Sequence, residues 1–156
     1  ISMSTENKID YLQYVQENVG NLVFVPNDEK TEEMCLFAVQ RKGILLSTCV
    51  PHRLKTKEVC FAALYQDFRA ISSVPKEYRD EDLYRTLVER NGMAIQCVPR
   101  EFHRMDLYLI AVRQNGLALQ FIDEESRTEE LCREAFHQTS KALEFIPKIL
   151  QDEFAT

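Results

Sequence analysis

One residue pattern recurs at a fixed distance along this chain of 156 residues. Residues 88–98 read VERNGMAIQCV, and residues 112–122, placed 24 positions later, read VRQNGLALQFI. A hydrophobic residue followed by proline or aspartate marks the period, at positions 25, 50, 74, 98, 122 and 146. Such spacing predicts a repeat architecture, because a segment this short cannot bury its own apolar side chains and must pack on its neighbours.

Each repeat begins with the pattern of an amphipathic helix. Apolar residues occupy four columns at relative positions i, i+1, i+4 and i+5, which form one stripe on a helix. In the fifth repeat these residues are Leu107, Tyr108, Ala111 and Val112. Threonine or aspartate precedes most of the stripes and an acid follows two positions later, as at a capped helix start. We therefore predict an α-helix of about three turns in every repeat.

A second, shorter helix is predicted after a turn. Glycine recurs in the turn, and the pairs Asn91-Gly92 and Asn115-Gly116 suit a left-handed helix end. Phe68 and Ser140 replace the glycine, so these two turns are expected to need another backbone conformation or a longer helix. The Ala-Leu pairs that follow favour a helix, which the anchor proline then ends.

These patterns predict an all-α protein, a solenoid-like stack of about six helix-turn-helix repeats in a single domain, residues 1–156. The first repeat is a degenerate version of the pattern, as expected of a cap. The expected boundaries are residues 4–26, 27–51, 52–75, 76–99, 100–123 and 124–147, with a C-terminal cap at 148–156.

The repeat resembles a known family, the domain-of-unknown-function 4116 repeats, over about residues 26–147. The residues that carry the resemblance are Val98-Pro99, Ala111-Val112, Asn115-Gly116, Ala118-Leu119, Arg127-Thr128 and Glu130-Leu131-Cys132. The family's short helical units are common in bacterial proteins, including secreted effectors of intracellular pathogens. The resemblance implies a helical scaffold and a host-directed bacterial protein, and it transfers no catalytic residue.

Net charge and cysteine content limit the partners and the cellular compartment that we expect for this chain. The net charge of −6 disfavours nonspecific binding to nucleic acid. No apolar run approaches the length of a membrane span, and the N-terminus lacks a signal pattern, with Met3 as the expected native start. The five cysteines contain no C-x-x-C pair, so we interpret them as small buried side chains in a reducing, cytoplasmic compartment, either bacterial or host.

No residue pattern predicts catalysis, a metal site or a cofactor. His52, His103 and His137 lie in separate repeats, and none has a histidine partner one helical turn away. A cysteine nucleophile with a histidine base is the enzymatic alternative. Cys35, Cys60 and Cys132, however, share a column with tyrosines, which favours packing.

Two sets of residues are candidates for binding. A basic column near the helix starts could bind an acidic peptide, phosphates or nucleic acid, or could pair locally with acids three residues later. Its members are Lys30, Lys55, Arg79, His103 and Arg127.

The second set is an aromatic-basic cluster of Tyr65, Phe68 and Arg69, which could anchor a partner or pack under a loop. We expect a non-catalytic scaffold that binds another protein and does not enter a membrane. Nucleic-acid binding through the basic column is the alternative from another class.

Overall fold

A computed structural model describes residues 8–154 of the chain. The expected start at Met3 and the last two residues, 155–156, lie outside the described residues. The chain forms two compact units, which we call the N-terminal unit (Ile1–Lys76) and the C-terminal unit (Glu77–Thr156). The expectation of one domain stays a prediction.

The regular secondary structure of the described residues is helical, with no residue of 8–154 in a β-strand, as the sequence predicts. The α-helices are α1 (Tyr11–Glu17), α2 (Glu32–Arg41), α3 (Leu45–Thr48), α4 (Lys57–Gln66), α5 (Glu81–Arg90), α6 (Met105–Gln114), α7 (Glu129–Gln138) and α8 (Lys148–Gln151).

The second predicted helix of each repeat is in most cases a 3-10 helix rather than an α-helix. These stretches are Val19–Phe24, Phe68–Ser73, Gly92–Cys97, Gly116–Phe121 and Ser140–Phe145. Six residues between a polar cap and a proline anchor suffice for two tight turns, which the 3-10 geometry provides. Single 3-10 turns follow the anchors at His52–Leu54, Lys76–Tyr78, Arg100–Phe102 and Glu124–Ser126.

The apolar columns form the core. Val59, Leu83, Leu107 and Leu131 of the first column are at most 5% exposed, which confirms the helical phase read from the sequence. Within each unit, the ten-residue α-helices of neighbouring repeats pack on one another. Examples are α2 on α4 and α6 on α7. The 3-10 stretches of the C-terminal unit also pack on one another. Burial of these side chains, rather than helix propensity, stabilises helices of only ten residues.

Side-chain caps start the helices as predicted. Thr31, Thr56, Asp80 and Thr128 each accept a hydrogen bond from the main-chain N–H three residues later. The arginine in this column, Arg104, makes no such bond. Helix α6 therefore begins without the cap that the other repeats have.

The prediction of left-handed helix ends is wrong. Asn91 and Asn115 have φ angles of −147° and −150°, and no described residue has a positive φ. Their side chains instead accept hydrogen bonds from Met93 N and Leu117 N, so asparagine caps the 3-10 helix that follows. Phe68 and Ser140 also begin a 3-10 stretch, and each follows a residue in an extended conformation, as Gly92 and Gly116 do. These two turns therefore need neither another backbone conformation nor a longer helix.

Glycine is required at these turns by close packing. A Cβ atom at Gly43, Gly92 or Gly116 would lie less than 3.0 Å from the carbonyl oxygen of Ala63, Ala111 or Ala135, respectively, in the next repeat. The glycine N–H groups also donate to glutamine Oε1 atoms at the end of that repeat's α-helix. The distances are 2.6 Å for Gly43 to Gln66, 2.5 Å for Gly92 to Gln114 and 2.6 Å for Gly116 to Gln138.

Candidate functional site

The basic column binds main-chain carbonyl groups. Lys30 is only 6% exposed, and its Nζ donates to the carbonyl of Cys49 at 2.6 Å. Equivalent bonds join Lys55 to Ser73 at 3.1 Å and Arg127 to Phe145 at 2.8 Å. Each of the three carbonyls belongs to the residue directly before the anchor that ends the same repeat. The cation thus joins the start of its repeat to its end, where carbonyls of a helix terminus favour positive charge.

The preceding anchor receives a second set of these bonds. Arg127 Nε donates to the Ile122 carbonyl at 2.8 Å, and His103 Nε2 lies 2.8 Å from the Val98 carbonyl. Because a carbonyl can only accept, Nε2 carries the proton, and the other ring nitrogen lies 3.0 Å from the Tyr108 hydroxyl. Arg79 occupies the same column and is half-buried.

The local-pairing alternative is therefore wrong for Lys30 and Arg127. Their recorded bonds go to oxygens of the main chain and of Asn27, rather than to Glu33 and Glu130. The geometry assigns these cations a role in holding each repeat together. A further role of the column in binding a partner stays a prediction.

The predicted cluster of Tyr65, Phe68 and Arg69 has one ion pair at its centre. Arg69 binds Asp67 at 2.8 Å, and this hydrogen bond holds the pKa of the Asp67 carboxyl below its usual value. Tyr65 is 40% exposed at the end of α4, whereas Phe68 is half-buried. The Tyr65 ring packs against Phe61, with 6.2 Å between ring centres. Tyr65 thus belongs to the outer side of α4.

Sequence reasoning missed a larger surface on the outer sides of α2 and α4. The guanidinium of Arg41 lies 3.6 Å from the centre of the Phe37 ring. On α4, Lys57 Nζ lies 5.4 Å from the centre of the Phe61 ring. We call Phe37, Arg41, Lys57, Phe61 and Tyr65 the aromatic–cationic face. The spacing of four residues between cation and ring in both helices is the signal that could have revealed it.

Three arginines on α5, α6 and α7 of the C-terminal unit are paired with carboxylates. Arg85 binds Asp106 at 3.0 Å, and Arg113 binds Glu134 at 3.1 Å. These hydrogen bonds lower the pKa values of Asp106 and Glu134. Arg133 also binds Glu129, one turn earlier on α7, at 2.6 Å.

By contrast, neither Arg41 nor Lys57 forms an ion pair with any residue of 8–154. The unpaired cations of the aromatic–cationic face distinguish it from the outer sides of α5, α6 and α7.

The thiols are unpaired and mostly buried. Cys35, Cys49, Cys60 and Cys132 are buried, which confirms their interpretation as packing residues, and Cys97 is half-buried. Burial raises the pKa values of Cys35, Cys60 and Cys97 to about 11, so these thiols are protonated and poorly nucleophilic at neutral pH.

The surroundings of His52 and His137 offer little support for metal binding or catalysis. Across residues 8–154, no three His, Cys, Asp or Glu side chains come together as a metal site requires. His137 borders an open cleft of about 470 Å³ at the C-terminal end of the C-terminal unit, and His52 is exposed in a single 3-10 turn. The cleft is lined by Arg133, Phe136, His137, Glu153 and Phe154. This lining contains no serine or cysteine nucleophile.

The geometry defines a class, an all-helical protein with a period of 24 residues. Residues 80–127 and 104–151 each match the family model described as domain of unknown function (DUF4116). The two matches start one period apart, so each spans two repeats. The resemblance to this family is therefore confirmed for residues 80–151. No curated protein and no solved structure matches the chain. Between residues 8 and 154, no helix has the length and apolar character needed to cross a membrane.

Proposed function

We propose that the protein is a non-catalytic scaffold that binds another protein through the aromatic–cationic face. In this proposal the repeats of each unit form a solenoid-like stack, and the outer sides of the α-helices are its binding surface. The observation that carries the proposal is the pairing of exposed or half-exposed rings with cations that no described carboxylate neutralises. Aromatic side chains and arginine are enriched at the residues that dominate binding energies between proteins.

This assignment is supported by the other candidate groups, because the basic column and the thiols already have structural roles within the fold. The cations of the basic column hold repeat ends together, and the thiol groups that sequence reasoning considered as nucleophiles are buried and protonated. Within residues 8–154, Arg41 and Lys57 make no comparable bond between repeat ends. We extend the proposal to a cytoplasmic setting, bacterial or host, with an effector-type, immunity-type or adaptor role. Free thiols support the reducing compartment, and the bacterial part of the proposal follows from the resemblance described from the sequence.

Affinity capture with matched surface variants tests the proposal. The bait carrying Lys57→Ser and Tyr65→Ser is compared with wild type and with a control carrying Lys141→Ser and Phe24→Ser. The control also removes one exposed lysine and one exposed aromatic residue, and Phe24 is 70% exposed. We expect a partner from bacterial or host lysate that the control retains and the face variant loses. Equal capture by all three baits would contradict the assignment of the face.

Thiol labelling tests the enzymatic alternative. With iodoacetamide at neutral pH, we expect slow modification of Cys35, Cys60 and Cys97 in the folded protein, because their thiols are protonated. A rapidly modified cysteine whose replacement abolishes turnover of a substrate would overturn the non-catalytic assignment.

A further inference from the structure

We propose that the aromatic–cationic face recognises an acidic segment of its partner, in which carboxylates alternate with apolar side chains. This inference rests on the proposed function and adds the chemistry of the partner. The apolar side chains would pack on the rings of Phe37, Phe61 and Tyr65, and the carboxylates would bind Arg41 and Lys57. Both kinds of contact lie on two α-helices that pack directly on each other.

Lys57 occupies a helix-start position at which an acid would be more favourable, and its ammonium group lies 5.4 Å from the centre of the Phe61 ring. It is the first residue of α4, and the first residues of the other ten-residue helices are Glu32, Glu81, Met105 and Glu129. A cation at this end opposes the helix dipole, whereas an acid complements it. Residues that break such a local rule are often functional. A carboxylate supplied by a partner would compensate the charge of Lys57.

Arg41 retains donors for a carboxylate. Its guanidinium is stacked on the Phe37 ring, and one of its N–H groups donates to the Phe37 carbonyl at 3.1 Å. A guanidinium has five N–H donors, so the remaining ones can bind a carboxylate, which is a charge-assisted and geometrically specific contact. The ring under the guanidinium restrains the side chain and so lowers the entropic cost of binding.

The distribution of charge favours the N-terminal unit as the place where an acidic ligand binds. Residues 1–76 contain nine Lys or Arg and nine Asp or Glu, whereas residues 77–156 contain ten and sixteen. The acidic surplus of the chain therefore lies entirely in the C-terminal unit, where it would repel an acidic ligand.

The same charges favour an acidic peptide over a nucleic acid. Tight binding to a nucleic-acid backbone requires many phosphate contacts, typically about 6–10, and the face offers two cations. Its exposed and half-exposed rings suit apolar side chains of a polypeptide.

The inference is tested by fluorescence anisotropy with the full-length protein and labelled synthetic probes. The main probe is a short peptide of alternating glutamate and leucine or phenylalanine. One comparison peptide has lysine for every glutamate, another has serine for every apolar residue, and the fourth probe is a single-stranded DNA of similar length. We expect the main probe to bind at least about tenfold more tightly than the other three.

Two charge reversals and a matched control locate the binding site. Lys57→Glu and Arg41→Glu are each expected to weaken binding of the main probe by about tenfold or more. The control with Lys141→Glu and Lys148→Glu, which lie in the C-terminal unit, is expected to bind as wild type does. Lys57→Glu places an acid at a helix start and should not impair folding, which thermal unfolding of the variant verifies.

Three outcomes would overturn the inference: no binding of the acidic peptide, equal binding of the lysine peptide, or unchanged affinity in both charge-reversed variants. Loss of a captured protein partner by the Lys57 and Tyr65 variant, together with any of these outcomes, would leave the scaffold function standing and reject only the acidic chemistry. Tighter binding of the DNA than of the peptide would reject both.

Discussion

At the scale of single residues, close contact rather than backbone strain determines where glycine occurs. The Asn-Gly pairs resemble helix ends that need a left-handed residue, yet the structure places them in ordinary extended and helical conformations. What the turn needs is the absence of a side chain, because the next repeat's alanine carbonyl occupies the position of the Cβ atom. The glutamine of that repeat then reaches the glycine N–H.

A glycine series tests this explanation. Gly92→Ala should lower the free energy of unfolding by about 1–3 kcal/mol, because the Ala111 carbonyl must move. Gly20→Ala should change it by less than about 1 kcal/mol, because its Cβ would meet only the Asn18 side chain, at 3.1 Å. Urea unfolding of both variants provides the comparison. Equal losses in both would show that the glycines serve backbone flexibility instead.

The raised pKa values of the buried thiols should make the protein less stable at alkaline pH. Burial raises the pKa values of Cys35 and Cys60 from 9.0 to about 11, so between these values the unfolded chain loses protons that the folded protein keeps. The contribution to stability is complete below pH 9 and is lost as the pH rises toward 11. The free energy of unfolding should fall less over this range in Cys60→Ala than in wild type. Parallel curves for the two proteins would contradict the pKa shift of Cys60.

At the scale of elements, most repeats begin with a capped helix, and in three of them a cation joins the two ends of the repeat. Threonine or aspartate caps four of the ten-residue α-helices, and asparagine caps three of the 3-10 helices. The Arg127 side chain then binds both the anchor before its repeat and the residue preceding the anchor after it. Helix α6 departs from this scheme, because Arg104 supplies no cap.

Supplying the missing cap should stabilise the protein. Arg104 already has the extended backbone conformation of a cap residue, so Arg104→Thr should raise the free energy of unfolding by about 1 kcal/mol. The ion pair lost with Glu81 is long, 3.8 Å, and exposed, so it offsets little of this gain. Thr128→Ala should show the reverse change, of about the same size. A destabilised Arg104→Thr variant in thermal and urea unfolding would refute this account of α6.

At the scale of the whole molecule, charge and repeat identity vary together along the chain. The close approach of neighbouring repeats uses glycine, alanine and glutamine at three recurring positions. At the step where the sequence passes from the N-terminal to the C-terminal unit, these positions hold Phe68, Leu87 and Arg90. The acidic surplus also begins at this step, so the two halves of the chain present different outer surfaces.

The net charge leads to a prediction about nucleic acid. The protein at about 10 μM and physiological salt should not retard duplex DNA or single-stranded RNA in a gel, because phosphates are repelled by its acidic surplus. Lys30, Lys55 and Arg127 of the basic column are also engaged with carbonyls. A salt-sensitive complex that Lys55→Glu and Arg79→Glu abolish would restore nucleic-acid binding as the function.

Periodicity made the helical class and most core positions predictable, whereas the repeat boundaries stay a prediction. The columns of Leu107, Tyr108, Ala111 and Val112 are buried as predicted, because a helical stripe of apolar residues has few other ways to leave water. Phe136 of α7 is an exception, since it is only half-buried and its ring packs against that of Phe154. The candidate site was less predictable. The sequence alone does not distinguish a lysine whose side chain faces solvent, as that of Lys57 does, from one whose side chain donates to a carbonyl, as that of Lys30 does.

The sequence by itself determined the period, the helical class and the starts of the four capped ten-residue α-helices, because these depend on local spacing and on caps three residues away. Only the tertiary structure decided what the polar residues do. The partners of Lys30, Gly92 and Arg127 lie 18 to 22 residues away, at carbonyls and amides whose positions depend on how the chain folds back. The exposure of the aromatic–cationic face has the same origin, since packing of neighbouring helices selects which side of α2 and α4 stays in water.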